Sequence, residues 1–138
     1  MRSFALILLF AAPTLAAPVP KELKYRSDAE CYVGTWDTVV SESNGQPYNK
    51  ARWTFDDKLK MTSNPLPGGV GGPSIWIIKI DPKQTPKTID IGSYPGIYEI
   101  DGDDIKIAYT LGGPRPTEVK SGNGVYYTVL RRVPESKK

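Results

Sequence analysis

After Val33 the chain breaks into short runs in which uncharged residues recur at every second position, and turn-forming residues stand between the runs. Side chains alternate across a strand, so one parity of each run faces one side of a sheet. Eight strands are expected, over 35–41, 50–56, 59–63, 74–80, 87–91, 96–101, 104–110 and 124–133. On the first, Trp36, Thr38 and Val40 share a face. Trp53 and Phe55 turn in from the second, opposite Arg52 and Asp56. Leu59 and Met61 do so on the third, and Trp76, Ile78 and Ile80 on the fourth, opposite Lys79. Ile89 and Ile91, then Tyr98 and Ile100, then Ile105, Ile107 and Tyr109 complete seven inward faces without a charge. A sheet with one such face must bury it on itself or on a second sheet. Eight strands is the number at which a closed barrel is just filled by side chains or holds one small ligand. The expected fold class is therefore all-β, an eight-stranded antiparallel barrel behind a short helix. A two-sheet sandwich is the alternative.

The loops agree with this reading. The chain holds 13 Gly and 13 Pro in 138 residues. Residues 64–73 (NPLPGGVGGP) and 111–116 (LGGPRP) read as connectors, with Pro fixing φ and Gly permitting turns. One domain accounts for the length. Three Trp, eight Tyr and the aliphatic residues supply a core, which excludes disorder and a coiled coil. No His is present, so chemistry that needs imidazole is excluded.

The N-terminal segment reads differently. Arg2, the apolar run 4–10 (FALILLF) and the small residues before Ala16 form the pattern of a secretory signal peptide, with cleavage after Ala16. The run is too short for a membrane span, which needs about 20 apolar residues. The expected division is a signal peptide over 1–16, a linker and short helix over 17–32, the barrel over 33–133 and a flexible tail over 134–138. Ser27 and Glu30 fit a capping box, so the helix starts at 22 or only near 27. The protein is expected to be exported, periplasmic or extracellular, with no membrane span after cleavage. Its balance of 18 basic and 15 acidic residues, with no basic run, makes nucleic acid a poor partner. Cys31 stands alone, so an internal disulfide is excluded. It reads as a small buried apolar residue, with intermolecular pairing as the alternative.

Gly34-Thr35-Trp36 after a short helix, with Arg131-Arg132 at the end of the last strand, resembles the lipocalin signature, in which an Arg seals the barrel base against the Trp. More of the chain resembles a family of exported lipocalin-like domains, expanded in planctomycete bacteria, for which no activity is established. The matching stretches are Gly34-Thr35-Trp36 with Val39-Val40-Ser41 and Asn44-Gly45; Asp81-Pro82 with Pro86-Lys87 and Ile89-Asp90; Gly96-Ile97-Tyr98 with Asp101-Gly102-Asp103; and Pro114-Arg115-Pro116 leading to Leu130-Arg131-Arg132. They span about residues 30–133. Ala108 and Val119 depart from a Cys and an aromatic common in that family. Strand parity over Val125, Tyr127, Val129 and Val133 turns Arg131 inward, whereas the resemblance points to Arg132. Barrel closure is assigned to Gly34, Trp36 and Arg132.

Several clusters have competing readings. Asp101-Gly102-Asp103-Asp104 reads as a hairpin turn, with an oxygen-ligated cation as the other option. No metal site and no cofactor is expected. Asp81-Pro82-Lys83 is a stiffened turn, and Asp90 is placed to pair with Lys87 or Arg52 on the surface. Gly68–Gly72 lacks the Lys-Ser/Thr and following helix of a phosphate loop and reads as a connector or a gate at the barrel mouth. Arg115 between two prolines reads as a surface turn or a carboxylate contact. The inward aromatics Trp53, Phe55, Trp76, Tyr98 and Tyr109 are the candidate ligand-binding residues, unless they fill the barrel. No carboxylate stands among the inward residues, so no catalytic residue and no enzyme activity is expected. The leading expectation is a non-catalytic binding protein for a small apolar ligand. A structural or interaction module, meeting an envelope protein through a filled barrel, is the second.

Overall fold

The computed structural model describes residues 27–134. The expected signal peptide (1–16), the linker, the helical stretch before Ser27 and the tail past Pro134 lie outside the described residues. Helix α1, Asp28–Tyr32, comes first. It starts at the later of the two expected positions, because Glu30 N donates to the Ser27 hydroxyl at 3.2 Å and so satisfies a first-turn amide. Among the described residues nine strands follow: β1 Gly34–Ser43, β2 Gln46–Pro47, β3 Ala51–Phe55, β4 Lys60–Pro65, β5 Ser74–Asp81, β6 Thr88–Ile91, β7 Tyr94–Asp101, β8 Asp104–Thr110 and β9 Val125–Arg132.

They form one sheet in the order β2-β1-β3-β4-β5-β6-β7-β8-β9, with a further ladder between β1 and β9. Every pairing is antiparallel. The β1–β9 ladder closes the sheet, which removes its open edges. Two-residue β2 only extends the hairpin at the end of β1. The result is a closed eight-stranded antiparallel barrel, as the spacing of the strands predicts, and not a two-sheet sandwich. Among the described residues no helix is long and apolar enough to cross a membrane.

The register departs from simple alternation in two places. Between Thr38 and Val40 the β1–β9 register shifts by a bulge. One extra residue reverses the parity beyond it, so Ser41 turns in and is buried, and Val40 does not. On β9 the inward set is Tyr126, Thr128, Leu130 and Arg132, the opposite parity from that read from the valines. Leu130 joins the main core, and Val125 and Tyr127 sit on the other face. Boundaries also move, and β1 runs on to Ser43. β4 runs on through Asn64 and Pro65, paired with Arg52 and Ala51, and β7 starts two residues early at Tyr94.

The core fills the end of the barrel next to α1. Tyr32, Trp36, Phe55, Tyr98, Ile105, Ile107 and Leu130 are buried there. A second, smaller core lies outside the wall. Ile97 and Ala108 point outward yet are fully buried, because the chain after β8 folds back over them. Thr110 starts this return by donating its hydroxyl to Gly113 O and Pro114 O at 3.1 and 3.2 Å. Arg115 then donates to Ile89 O, Gly96 O and Asp90 Oδ1 at 3.1, 2.7 and 2.8 Å. Asp90 is thus held by Arg115, while Lys87 pairs with Asp28 and Arg52 with Asp37. On the inner face Gly96 lets β7 lie close to its neighbours, since a Cβ there would lie 2.6 Å from Ala108 O and 2.9 Å from Tyr109 Cβ.

Candidate functional site

The barrel has one closed and one open end. At the closed end the Arg132 guanidinium carbon lies 4.3 Å from the centre of the Trp36 ring. Its Nη1 and Nη2 donate to Val33 O and Cys31 O at 3.2 and 2.7 Å. Gly34 gives it room, because a Cβ at Gly34 would stand 3.1 Å from Nη1. Arg131, one residue earlier, points outward to Asp104 at 3.0 Å.

Helix α1 lays the floor. Trp36 Nε1 donates to Tyr32 O at 2.8 Å. The Tyr32 ring enters the barrel and meets Phe55 and Tyr98 edge-on, with centroids 5.1 and 5.5 Å away. The Tyr98 hydroxyl and Lys87 Nζ both donate to Asp28 Oδ2, at 2.7 and 2.9 Å. Burial pulls the Asp28 carboxyl upward, but those two donors outweigh it and hold its pKa below the ordinary value. Burial, with the Asp28 contact second, drives the Tyr98 hydroxyl well above the usual tyrosine range.

Above this floor the barrel is hollow. A cavity of about 320 Å³ opens at the other end, near the low end for small-molecule sites. Of the five aromatics expected to line it, Trp53, Trp76 and Tyr109 do. Phe55 and Tyr98 do not: they are consumed in the packing around Tyr32. Three tyrosines join the walls instead. Tyr94 packs against Trp76, and Tyr126 stacks on Tyr109 at 5.4 Å and 16° and meets Tyr48 edge-on. Burial first, and the neighbouring tyrosines second, push the Tyr109 pKa well above the usual tyrosine range.

The wall is not wholly apolar. Thr38, Ser41 and Thr128 are buried and line the cavity from β1 and β9, joined by Ser63 and Ser74. Among the described residues of the lining Lys50 is the single charged side chain, and it is exposed. Val70 and Gly72 of the glycine-rich connector also reach the mouth.

The other clusters serve as turns. Asp101 and Asp104 face each other across the β7–β8 hairpin, and Asp104 is held by Arg131. Asp81 Oδ1 accepts from Lys83 N at 3.1 Å within its own turn. Among the described residues no three metal-ligating side chains converge, and no carboxylate lines the cavity.

Tyr126 and Thr128 were legible from Arg132. If Arg132 faces in, alternation carries Leu130, Thr128 and Tyr126 in with it. Tyr94 shares the parity of Gly96 and Tyr98, but Pro95 argues against a strand there. Ser41 depends on the bulge, which has no signal in the sequence.

No family model, no curated protein and no solved structure matches this chain.

Proposed function

We propose that this chain is an exported, non-catalytic binding protein that carries one small molecule in the open half of its barrel. The observation that carries this reading is the pairing of a sealed floor with a 320 Å³ cavity under an open mouth. A barrel that served only as a scaffold gains stability by filling that space, since interiors pack densely. The lining supports a binding role over catalysis: hydroxyls and aromatic rings converge there, with neither a carboxylate nor a histidine to move a proton. Export rests on Arg2, the apolar run and the small residues before Ala16, and agrees with the resemblance to exported lipocalin-like domains. The test is native mass spectrometry of protein purified from its own exported fraction, set against the denatured mass. A chain beginning at Ala17 with a reproducible non-covalent adduct, lost in Trp76→Ala, is the expected result. A bare chain that takes up no small molecule when offered a panel would overturn the carrier reading.

The second reading is an interaction module of the envelope. Ile75 and Ile77 favour it, standing 60% and 56% exposed on the outer face of β5. Co-purification of an envelope protein that is lost in Ile75→Lys, with the cavity empty, would select it.

A further inference from the structure

Resting on the carrier reading, we infer that the cargo is an uncharged, flat ring compound bearing hydrogen-bonding groups on its edge, and not a plain hydrocarbon. The wall formed by β1 and β9 carries a pair of inward hydroxyls. Ser41 and Thr128 are direct cross-strand partners, and both turn inward. They are 8% and 3% exposed, so they sit within the barrel, not at its rim. Both line the cavity and are open to whatever enters it, whereas the Thr38 hydroxyl beside them accepts from Ala51 N at 2.8 Å. A ligand that fills the cavity takes these hydroxyls out of water, and leaving one unpaired then costs about 1–3 kcal/mol. Two adjacent ones make a patch that a ligand oxygen or nitrogen can satisfy and a hydrocarbon cannot.

The rest of the cavity provides flat apolar surface. Tyr109 and Tyr126 present a stacked pair, and Trp76 with Tyr94 a second, tilted pair. Such faces match a ring better than a flexible chain. The volume corresponds to about ten waters of bulk liquid, the scale of one or two fused rings. Charge is excluded by the same lining. A buried ion needs a partner, and Lys50, the lone charge among the described residues of the lining, is exposed.

The probes are naphthalene and a dihydroxynaphthalene with its two hydroxyls side by side on one edge, titrated into the exported chain by equilibrium dialysis. Two ligand hydroxyls that each find a partner predict about tenfold tighter binding of the dihydroxy compound. Thr128→Val keeps the shape and removes the hydroxyl. It is expected to narrow the gap between the two affinities, because one of the two hydroxyl partners is gone. Ser41→Ala, on the opposing strand, is expected to do the same and serves if the first variant folds poorly. Equal or tighter binding of naphthalene would overturn the polar cargo and leave the carrier reading standing. If neither probe binds the wild-type chain, the ring inference falls, and the adduct experiment above separately decides the carrier reading.

Discussion

The guanidinium of Arg132 stacks on the Trp36 ring at 4.3 Å, joining the last residue of β9 to the start of β1. The same guanidinium donates to Cys31 O and Val33 O, so one side chain ties the sheet closure to the segment that leaves α1. A cation–π contact is worth roughly 0.5–2 kcal/mol, and hydrogen bonds from a charged group about 1.5–3 kcal/mol. Arg132→Ala is therefore expected to lose ~2–3 kcal/mol of unfolding free energy. Arg132→Lys is expected to recover less than half, because an ammonium cannot stack flat and reach both carbonyls. Urea denaturation of the two variants checks this. Full rescue by Lys would show that charge alone matters there.

Tyr32 gives a prediction of opposite sign. Its ring is fully buried, yet its hydroxyl has no hydrogen-bond partner among the described residues. Removing an orphaned buried hydroxyl removes its desolvation cost, so Tyr32→Phe is expected to be neutral or to stabilise by up to ~1 kcal/mol. Tyr32→Ala empties the floor and is expected to cost about 3–5 kcal/mol. Thermal unfolding of both variants separates the ring's contribution from that of the hydroxyl. A clear loss of stability in Tyr32→Phe would mean that the hydroxyl is satisfied, by ordered water for example.

These two residues also show how far the sequence reaches. Trp36 and the barrel were legible because alternation and turn residues agree over seven strands. The helix start was legible from Ser27, whose side chain caps the amide of Glu30. Division of the barrel into a filled and a hollow half was not. It depends on Tyr32, a helix residue with no strand parity to reveal that its ring enters the barrel and takes up Phe55 and Tyr98. The hydroxyl wall was hidden for a related reason. Val125, Tyr127 and Val129 form an apolar alternation as regular as Tyr126, Thr128 and Leu130, so pattern alone assigns the wrong face to β9.

Asp28 makes the floor sensitive to acid. Burial raises its pKa, and the donors Lys87 and Tyr98 more than reverse that, leaving it below the ordinary value of 3.8. A carboxyl depressed on folding adds stability that is fully present above its unfolded pKa and is lost as pH falls through the folded one. Stability is thus expected to be level near neutrality and to drop below about pH 4. Asp28→Asn loses a charge-assisted pair, about 1.5–3 kcal/mol at neutral pH, and has a shallower acid slope. Denaturant midpoints at stepped pH test both statements. An unchanged slope in the variant would place the acid sensitivity elsewhere, in the exposed Asp37–Arg52 and Asp104–Arg131 pairs.

Arg115 is a clip on the outer wall. Its contacts with Ile89 O, Gly96 O and Asp90 hold the return of residues 111–116 over Ile97 and Ala108. Because Leu111 lines the cavity mouth, the clip fixes one side of that mouth from outside the barrel. Arg115→Ala is expected to cost ~1–2 kcal/mol, the partly exposed aspartate contact adding little and the two carbonyl contacts most of it. Asp90→Asn, which weakens only the first of these, is expected to cost less than ~0.5 kcal/mol. Hydrogen exchange reads the two apart. In Arg115→Ala the amides of 111–118 exchange faster while those of β1 and β9 keep their protection, and in Asp90→Asn both regions stay near wild type. Equal loosening in the two variants would mean that the ion pair, and not the carbonyl contacts, holds the strap to the wall.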